Sequence, residues 1–314
     1  MSDWIFAIVQ TLCAVLFAPF LAGWVKWLKC KLQNRQGAAP WQPYRDLLRL
    51  SRKQVILAET ASPIFRATPY IVFSVTVVAI SIVPIFSVQI PTAALADVIV
   101  LVGFLALTRF FLSLAGMDIG TAFGGMGSSR ELTISSLAEP ALLMAFFTLA
   151  MNASSTNLST VVSHLAESQF ILYPSLIFSS MGFILVALAE TGRIPIDNPA
   201  THLELTMIHE AMILEYSGRH LALIEWAAML KLTLYAVLIA NFILPWGVAL
   251  TSTPEAVAIG AFSITCKLLV LGGVLAVAET VQAKMRLFRA PHFLGLAFIL
   301  SLLGMMSHIV LEER

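Results

Sequence analysis

Charge is what this sequence has least of. Asp, Glu, Lys and Arg make up 12% of its 314 residues, against about a quarter in an ordinary soluble domain. That excludes a well-solvated globular surface. Cysteine is scarce too: Cys13, Cys30 and Cys266 stand far apart with no C-x-x-C spacing. The chain therefore offers neither a disulfide framework nor a thiolate-held iron–sulfur or nickel–iron centre of its own. No Walker loop, H-E-x-x-H, G-x-S-x-G or G-x-G-x-x-G occurs, which removes the commonest phosphate, zinc-protease, hydrolase and dinucleotide chemistries. No repeat at a fixed period is visible, which weighs against an inverted-repeat transporter. The short alternating segments of a membrane β-barrel are missing as well.

What is present is apolar sequence, 59% hydrophobic with a mean hydropathy of +0.88. Its runs are long enough to cross a bilayer as helices, which takes roughly 20 residues. The expected fold is an all-α polytopic membrane protein, one transmembrane domain over residues 1–314. About eight transmembrane helices are read, near Trp4–Val25, Thr68–Val88, Asp97–Met117, Leu132–Asn152, Ile171–Glu190, Leu221–Val248, Ala256–Glu279 and His292–Leu311. The first run has Asp3 in front and its lysines behind, so it reads as an anchor rather than a cleaved signal peptide.

The connectors alternate in charge. The first holds Lys26, Lys29, Lys31, Arg35, Arg45, Arg49, Arg52, Lys53 and Arg66; the third holds Arg130, the fifth Arg193 and Arg219, the seventh Lys284, Arg286 and Arg289. The second, fourth and sixth have no Lys or Arg. Positive-inside bias then places the odd connectors in the cytoplasm and both termini outside, in a multi-pass arrangement. Net charge is only +1, and the basic residues flank spans, so no nucleic-acid partner is expected. Within the first connector, Leu47, Leu48 and Leu50 interleave with Arg45, Arg49, Arg52 and Lys53. That suits an amphipathic helix on the cytoplasmic surface, either a basic flank touching anionic lipid or a docking rim for a partner.

Against this apolar background, Glu190, Arg193, Asp197, Glu204, Glu210, Glu215 and Arg219 crowd between two long runs. Charges at membrane depth are costly, about 2.5–3.5 kcal/mol each on the insertion scale, and so face protein or water. Glu139 beside Pro140 stands inside the fourth span, Glu225 and Lys231 in the sixth, and Lys267 and Glu279 in the seventh. Arg109, Lys231 and Lys267 are the basic residues within spans. For the lysines, structural pairing and proton relay stand level. For Glu139 and the carboxylates of 190–215 a relay is favoured, because carboxylates desolvated in a bundle can exchange protons near neutral pH. His202 and His209, with Glu210 adjacent, lack the H-E-x-x-H spacing and read as a polar network rather than metal ligands. The stretch 116–131 (G-M-D-I-G-T-A-F-G-G-M-G-S-S-R-E) has five glycines and reads as a loop. Asp118, Arg130 and Glu131 favour its lining a cavity at membrane depth over its being a surface linker.

These segments together resemble the membrane-anchor subunit of the complex I and group 4 hydrogenase family, with relatives in formate hydrogenlyase, hydrogenase-4 and membrane-bound hydrogenase. The resemblance rests on N-R-Q-G and Y-R-D-L-L-R-L within 34–50, F-F-L-S-L-A-G-M-D-I-G at 110–120, G-S-S-R-E at 127–131, A-E-P at 138–140, and above all A-E-T-G-R-I-P-I-D followed by E-Y-S-G. It implies a non-catalytic subunit of the bacterial or archaeal plasma (inner) membrane, part of a redox-driven ion-translocating complex. Its cytoplasmic loops would dock iron–sulfur and hydrogenase-like large subunits of a peripheral arm, and antiporter-like membrane subunits and lipid would be its neighbours. Iron–sulfur clusters, and in the hydrogenase branch a nickel–iron centre, would lie in those partners, with no cofactor in this chain. Glu139, Glu190, Asp197, Glu204 and Glu215 would be acidic relay members, with Glu210 beside them and Arg130 and Arg193 as charge partners. Asp118, Glu225, Lys231, Lys267 and Glu279 are secondary candidates.

The resemblance has departures. From Glu204 to Glu215 is eleven residues, roughly one helical turn more than the complex I pattern. T-H-L-E-L-T-M-I-H-E-A-M looks more like the hydrogenase branch, and a usual G-P pair is here Gly37–Ala38. These departures weigh against a quinone chamber. A stand-alone ion transporter and a passive anchor remain the rival readings.

Overall fold

The computed structural model describes residues 2–167, 173–197, 208–251, 253–283, 285 and 289–312. Among these residues there is no β-strand, and eleven α-helices follow one another: α1 Ser2–Leu32, α2 Gln42–Ser51, α3 Pro63–Ile82, α4 Val98–Asp118, α5 Ala122–Asn152, α6 Leu158–Glu167, α7 Pro174–Glu190, α8 His209–Ile213, α9 Gly218–Ile243, α10 Pro254–Val281 and α11 Ala290–Ser307. Seven are long and apolar enough to cross a membrane, and α7, with 17 residues, is a shorter apolar eighth. The expected eight-span all-α fold is therefore present.

Several boundaries differ from the expected ones, each for a local reason. α1 is 31 residues long, roughly 46 Å, so its basic last turn extends past the apolar stretch. α3 stops at Ile82 because Pro84 follows, and α9 stops at Ile243 because Pro245 follows; proline cannot supply the next helical N–H. The glycine-rich stretch is helical rather than a loop. Thr121 caps α5 by accepting from Gly124 N at 3.3 Å, and only Ile119, Gly120 and Thr121 separate α4 from α5. Its glycines permit close helix approach: a Cβ at Gly116 would stand 2.5 Å from Ser128 Oγ, and one at Gly127 2.9 Å from Ala211 Cβ and from Ile208 O. Small residues at interfaces are how membrane helices gain contact without a hydrophobic driving force. α7 and α11 meet in the same way, a Cβ at Gly182 falling 2.3 Å from Ser301 Oγ.

The core runs along the bundle axis around Phe146, Phe183, Tyr235 and Phe242, whose rings lie 5.3–6.1 Å apart. α2 has the expected amphipathic form. It buries Leu47, turns Leu48 outward, and is tied to α1 by the Tyr44 hydroxyl donating to Leu16 O at 2.5 Å.

The two ends of the bundle are built differently. At one end the first, third, fifth and seventh connectors gather. Ser217 Oγ both accepts from Ile56 N and donates to Ile56 O at 2.9 Å, and Met285 N donates to Pro195 O at 2.8 Å. At the opposite end, irregular backbone around 83–90 and 244–250 folds in beside α10. Val88 N donates to Ala249 O and Ala249 N to Phe86 O, both at 3.0 Å, and a Cβ at Gly260 would stand 2.3 Å from Phe86 O.

Candidate functional site: a charged cavity between helices

Irregular backbone and ionised side chains are tolerated at membrane depth only where protein or a water-filled cavity receives them. A cavity of ≈ 290 Å³ lies between α3, α4, α5, α7, α8 and α9. Its lining includes Arg109, Glu131, Glu190, Arg193, Asp197, His209, Glu210, Glu225 and Lys231. Among the described residues, five carboxylates thus face three basic side chains. The apolar wall comes from Val72, Leu112, Ile134, Ile196, Ile213 and Ile224, so these charges interact where water screens them little.

Glu190, the last residue of α7, is the hub. One carboxylate oxygen accepts from a terminal nitrogen of Arg109 on α4, and the other lies 3.0 Å from Lys231 Nζ on α9. The second terminal nitrogen of Arg109 donates to Glu139 on α5 at 2.8 Å. Four helices therefore contribute one residue each to a charge-balanced quartet, the arginine fork holding two carboxylates at once. The quartet is graded in exposure: the Glu190 side chain is 0% exposed, Arg109 6% and Glu139 37%. Arg109 consequently links the cavity to the outer face of α4 and α5. Across the cavity, burial holds the His209 imidazole below the usual histidine range, with Glu210 pulling the other way.

A second cluster stands beside it. Glu279 on α10 accepts from Lys29 on α1 at 2.8 Å and from Arg193 at 3.1 Å. Arg193 also lines the cavity, so it belongs to both groups.

Of the sequence-derived candidates, Glu190, Arg193, Asp197, Glu210, Glu225 and Lys231 line the cavity, and Glu139 reaches it through Arg109. Glu204 lies outside the described residues, as does His202. Glu215 is exposed and outside the lining. Asp118 ends α4 and accepts from Ser62 N at 3.0 Å, joining α4 to the start of α3. Arg130 is half-buried and also outside the lining, although its neighbour Glu131 is within it. Lys267 is at the opposite end, donating to Leu244 O at 2.6 Å and to Trp246 O. Among the described residues no group of His, Cys, Asp or Glu has metal-holding geometry.

The E-Y-S-G segment is a joint. Tyr216 stacks on Phe65 at 3.9 Å and donates to Phe65 O at 3.0 Å, Ser217 grips Ile56, and Gly218 adopts φ +55° with Gln54 O against its α-carbon. Glu215 points away from this joint. Burial beside Phe65 raises the Tyr216 phenol above its ordinary range, so the hydroxyl stays a donor.

Glu131, read from the sequence as favouring a cavity lining, does line the cavity, whereas Arg109 stands in the sequence reading only as a basic residue within a span, with no role. The available signal for Arg109 was its isolation: it is the one charged residue between Asp97 and Asp118, and a lone in-span arginine requires a partner.

Comparison with known proteins bears on the whole chain. A family profile described as NADH dehydrogenase matches residues 5–309. Hydrogenase-4 component C of Escherichia coli (strain K12) is 32% identical over 301 residues, 96% of this chain and 94% of that protein. Formate hydrogenlyase subunit 4 of the same organism is 29% identical over 306 residues, covering 96% of this chain and 98% of its own. Among solved structures, a chain of the membrane-bound sulfane sulfur reductase, an archaeal respiratory membrane complex, superposes with a TM-score of 0.79 at 16% identity. That match covers 98% of this chain and 99% of that one.

Proposed function

Since the chain belongs to the NADH dehydrogenase subunit 1 family, we propose that it is the ion-coupling membrane subunit of a hydrogenase-4 or formate hydrogenlyase type complex. It is a multi-pass membrane protein, and its relatives are by name components of larger assemblies. Near-full-length similarity to two hydrogenase-linked subunits supports that branch over a quinone-chamber subunit. The observation that carries the reading is the Glu190–Arg109–Glu139 bridge, which runs from the acidic cavity to a half-exposed carboxylate on the bundle's side. Among the described residues two more carboxylates than basic side chains line the cavity, and protons can meet that surplus. A proton gained or lost there changes the partner that Arg109 and Lys231 prefer, since coupled sites titrate as a set.

In this reading the connector end faces the cytoplasm of a bacterial or archaeal inner membrane, with both termini outside, as the basic asymmetry supports. Iron–sulfur and hydrogenase-like large subunits dock there. They hold the iron–sulfur clusters and any nickel–iron centre, and this chain holds none. Antiporter-like subunits take up the charge change on the Glu139 side.

The test is a pair of substitutions in the intact complex. Glu139→Gln should leave assembly in place and lower ion movement per electron at least about tenfold, a change of 1.4 kcal/mol or more. Glu215→Gln, outside the cavity, should leave coupling unchanged. Full coupling in Glu139→Gln and in Glu190→Gln together would falsify the proposal.

A further inference from the structure

A second cavity, of ≈ 170 Å³, opens between α7 and α10 with α1 and α9 as its inner walls. It is lined almost wholly by apolar side chains, and Val274, 60% exposed, forms its lip. One end runs into the Lys29–Glu279–Arg193 cluster: Glu279 follows the lining residue Ala278, Arg193 lies two residues past Thr191, and Lys29 one turn past Val25. Depth can be read from α1. Trp24 and Trp27 stack at 5.2 Å and Lys31 stands 4.1 Å over the Trp27 ring, the aromatic and basic signature of the headgroup layer. The ion cluster is therefore at headgroup level, and the slot beneath it is at the level of hydrocarbon.

Charge and size select the occupant. Two cations share the one carboxylate of this cluster, and Arg193 faces the first cavity as well. The bonds to Glu279 engage one nitrogen of each cation, whereas lysine carries three donors and arginine five. A helix is 10–12 Å across, more than a cavity of ≈ 170 Å³ can take in, whereas a slender, flexible hydrocarbon chain can enter it. We propose that this slot binds an anionic phospholipid, with one acyl chain between α7 and α10 and its phosphate on Lys29 and Arg193. The lipid would complete the wall of the bundle where α7 and α10 leave it open.

The test uses the intact complex in nanodiscs of equimolar phosphatidylcholine and phosphatidylglycerol, with native mass spectrometry of the lipids this chain retains. Phosphatidylglycerol should be retained over phosphatidylcholine by roughly fivefold, the scale of one basic side chain near an anionic headgroup. Ala278→Phe, which fills the slot, should abolish that retention, and Val281→Phe, which is 80% exposed in the parent residue and outside the slot, should keep it. Should Ala278→Phe fail to assemble, the preference of the unaltered complex decides. Equal retention of the two lipids, an unchanged lipid in an assembled Ala278→Phe complex, or release of an isoprenoid quinone in place of phospholipid would each overturn the assignment.

Discussion

The two ends of the bundle meet the same problem, buried polarity in an apolar solvent, in opposite ways. At the connector end, side chains from different helices satisfy one another: Arg109, Glu139, Glu190 and Lys231 come from α4, α5, α7 and α9. At the far end, side chains satisfy irregular backbone. Asn241 donates to Pro84 O at 2.7 Å, Gln10 donates to Val83 O and accepts from Phe86 N, and Lys267 caps Leu244 O and Trp246 O. The first kind of network can change state, because each proton gained or lost alters which pairs are favoured. In the second each side chain is paired with backbone groups, which do not titrate, so no second charge competes for it. Polarity at membrane depth is therefore weak evidence of function until its partners are known; the partners separate a relay from a scaffold.

The largest expected effect breaks the first network at its fork. Arg109→Leu leaves Glu139 without its partner and Glu190 with Lys231 alone, and removal of one member of a buried ion network costs about 3–5 kcal/mol. A marked fall in thermal stability or assembly should follow, with Arg109→Lys only partly restoring it because a point charge cannot fork to two carboxylates. A variant as stable and as well coupled as the parent would remove the distinction between the ends. Next comes Lys267→Met, which strips two carbonyls of their donor. At about 1–3 kcal/mol for each unsatisfied group, with membrane values at the lower end, the loss should be roughly 2–3 kcal/mol. Ion coupling per assembled complex should stay at the parent level. Loss of coupling at full stability would move Lys267 into the relay.

How much of this could be read beforehand divides along the same line. Eight apolar runs, the amphipathic first connector and a charged fifth connector follow from composition and period, which are local properties. Helix ends did not: all but Ile119–Thr121 of the stretch 116–131 is helical, with Gly116 and Gly127 packed against Ser128, Ala211 and Met212, contacts no window of sequence contains. Linear crowding does not carry over into space in one place. Glu215 belongs to the same run of charges as Glu210, but Tyr216 and Ser217 fasten that turn to Phe65 and Ile56 and face Glu215 outward. Arg109 is 81 residues from Glu190 and 30 from Glu139, so its role as the fork exists only in the fold.

A smaller effect probes the joint that closes the connector end. Gly218 has φ +55°, and a Cβ there would stand 2.5 Å from Gln54 O. Left-handed backbone costs a non-glycine residue about 1–2 kcal/mol. Gly218→Ala should therefore lower the melting temperature by an amount of that order and loosen the first connector, seen as faster amide exchange at Ile56. Unchanged exchange there would show that the joint does not hold the connector end together.

The smallest effect is a dependence on pH that His209 should confer and the Gln10 bonds of the far end should not. Burial lowers the His209 pKa from the ordinary value of 6.5, so the neutral imidazole is the form the fold prefers. As pH falls below about 6.5, the unfolded chain binds this proton before the folded one does, and stability decreases toward acid. The contribution is complete above 6.5 and is lost as pH falls through the depressed folded value. His209→Gln should flatten that part of the stability profile, so the parent's stability relative to the variant should fall toward lower pH. Gln10→Leu, at the far end, should by contrast cost the same at both pH values, because amide-to-carbonyl bonds carry no titrating proton. Parallel profiles for parent and His209→Gln would mean that the histidine binds its proton equally well folded and unfolded, with Glu210 offsetting burial there.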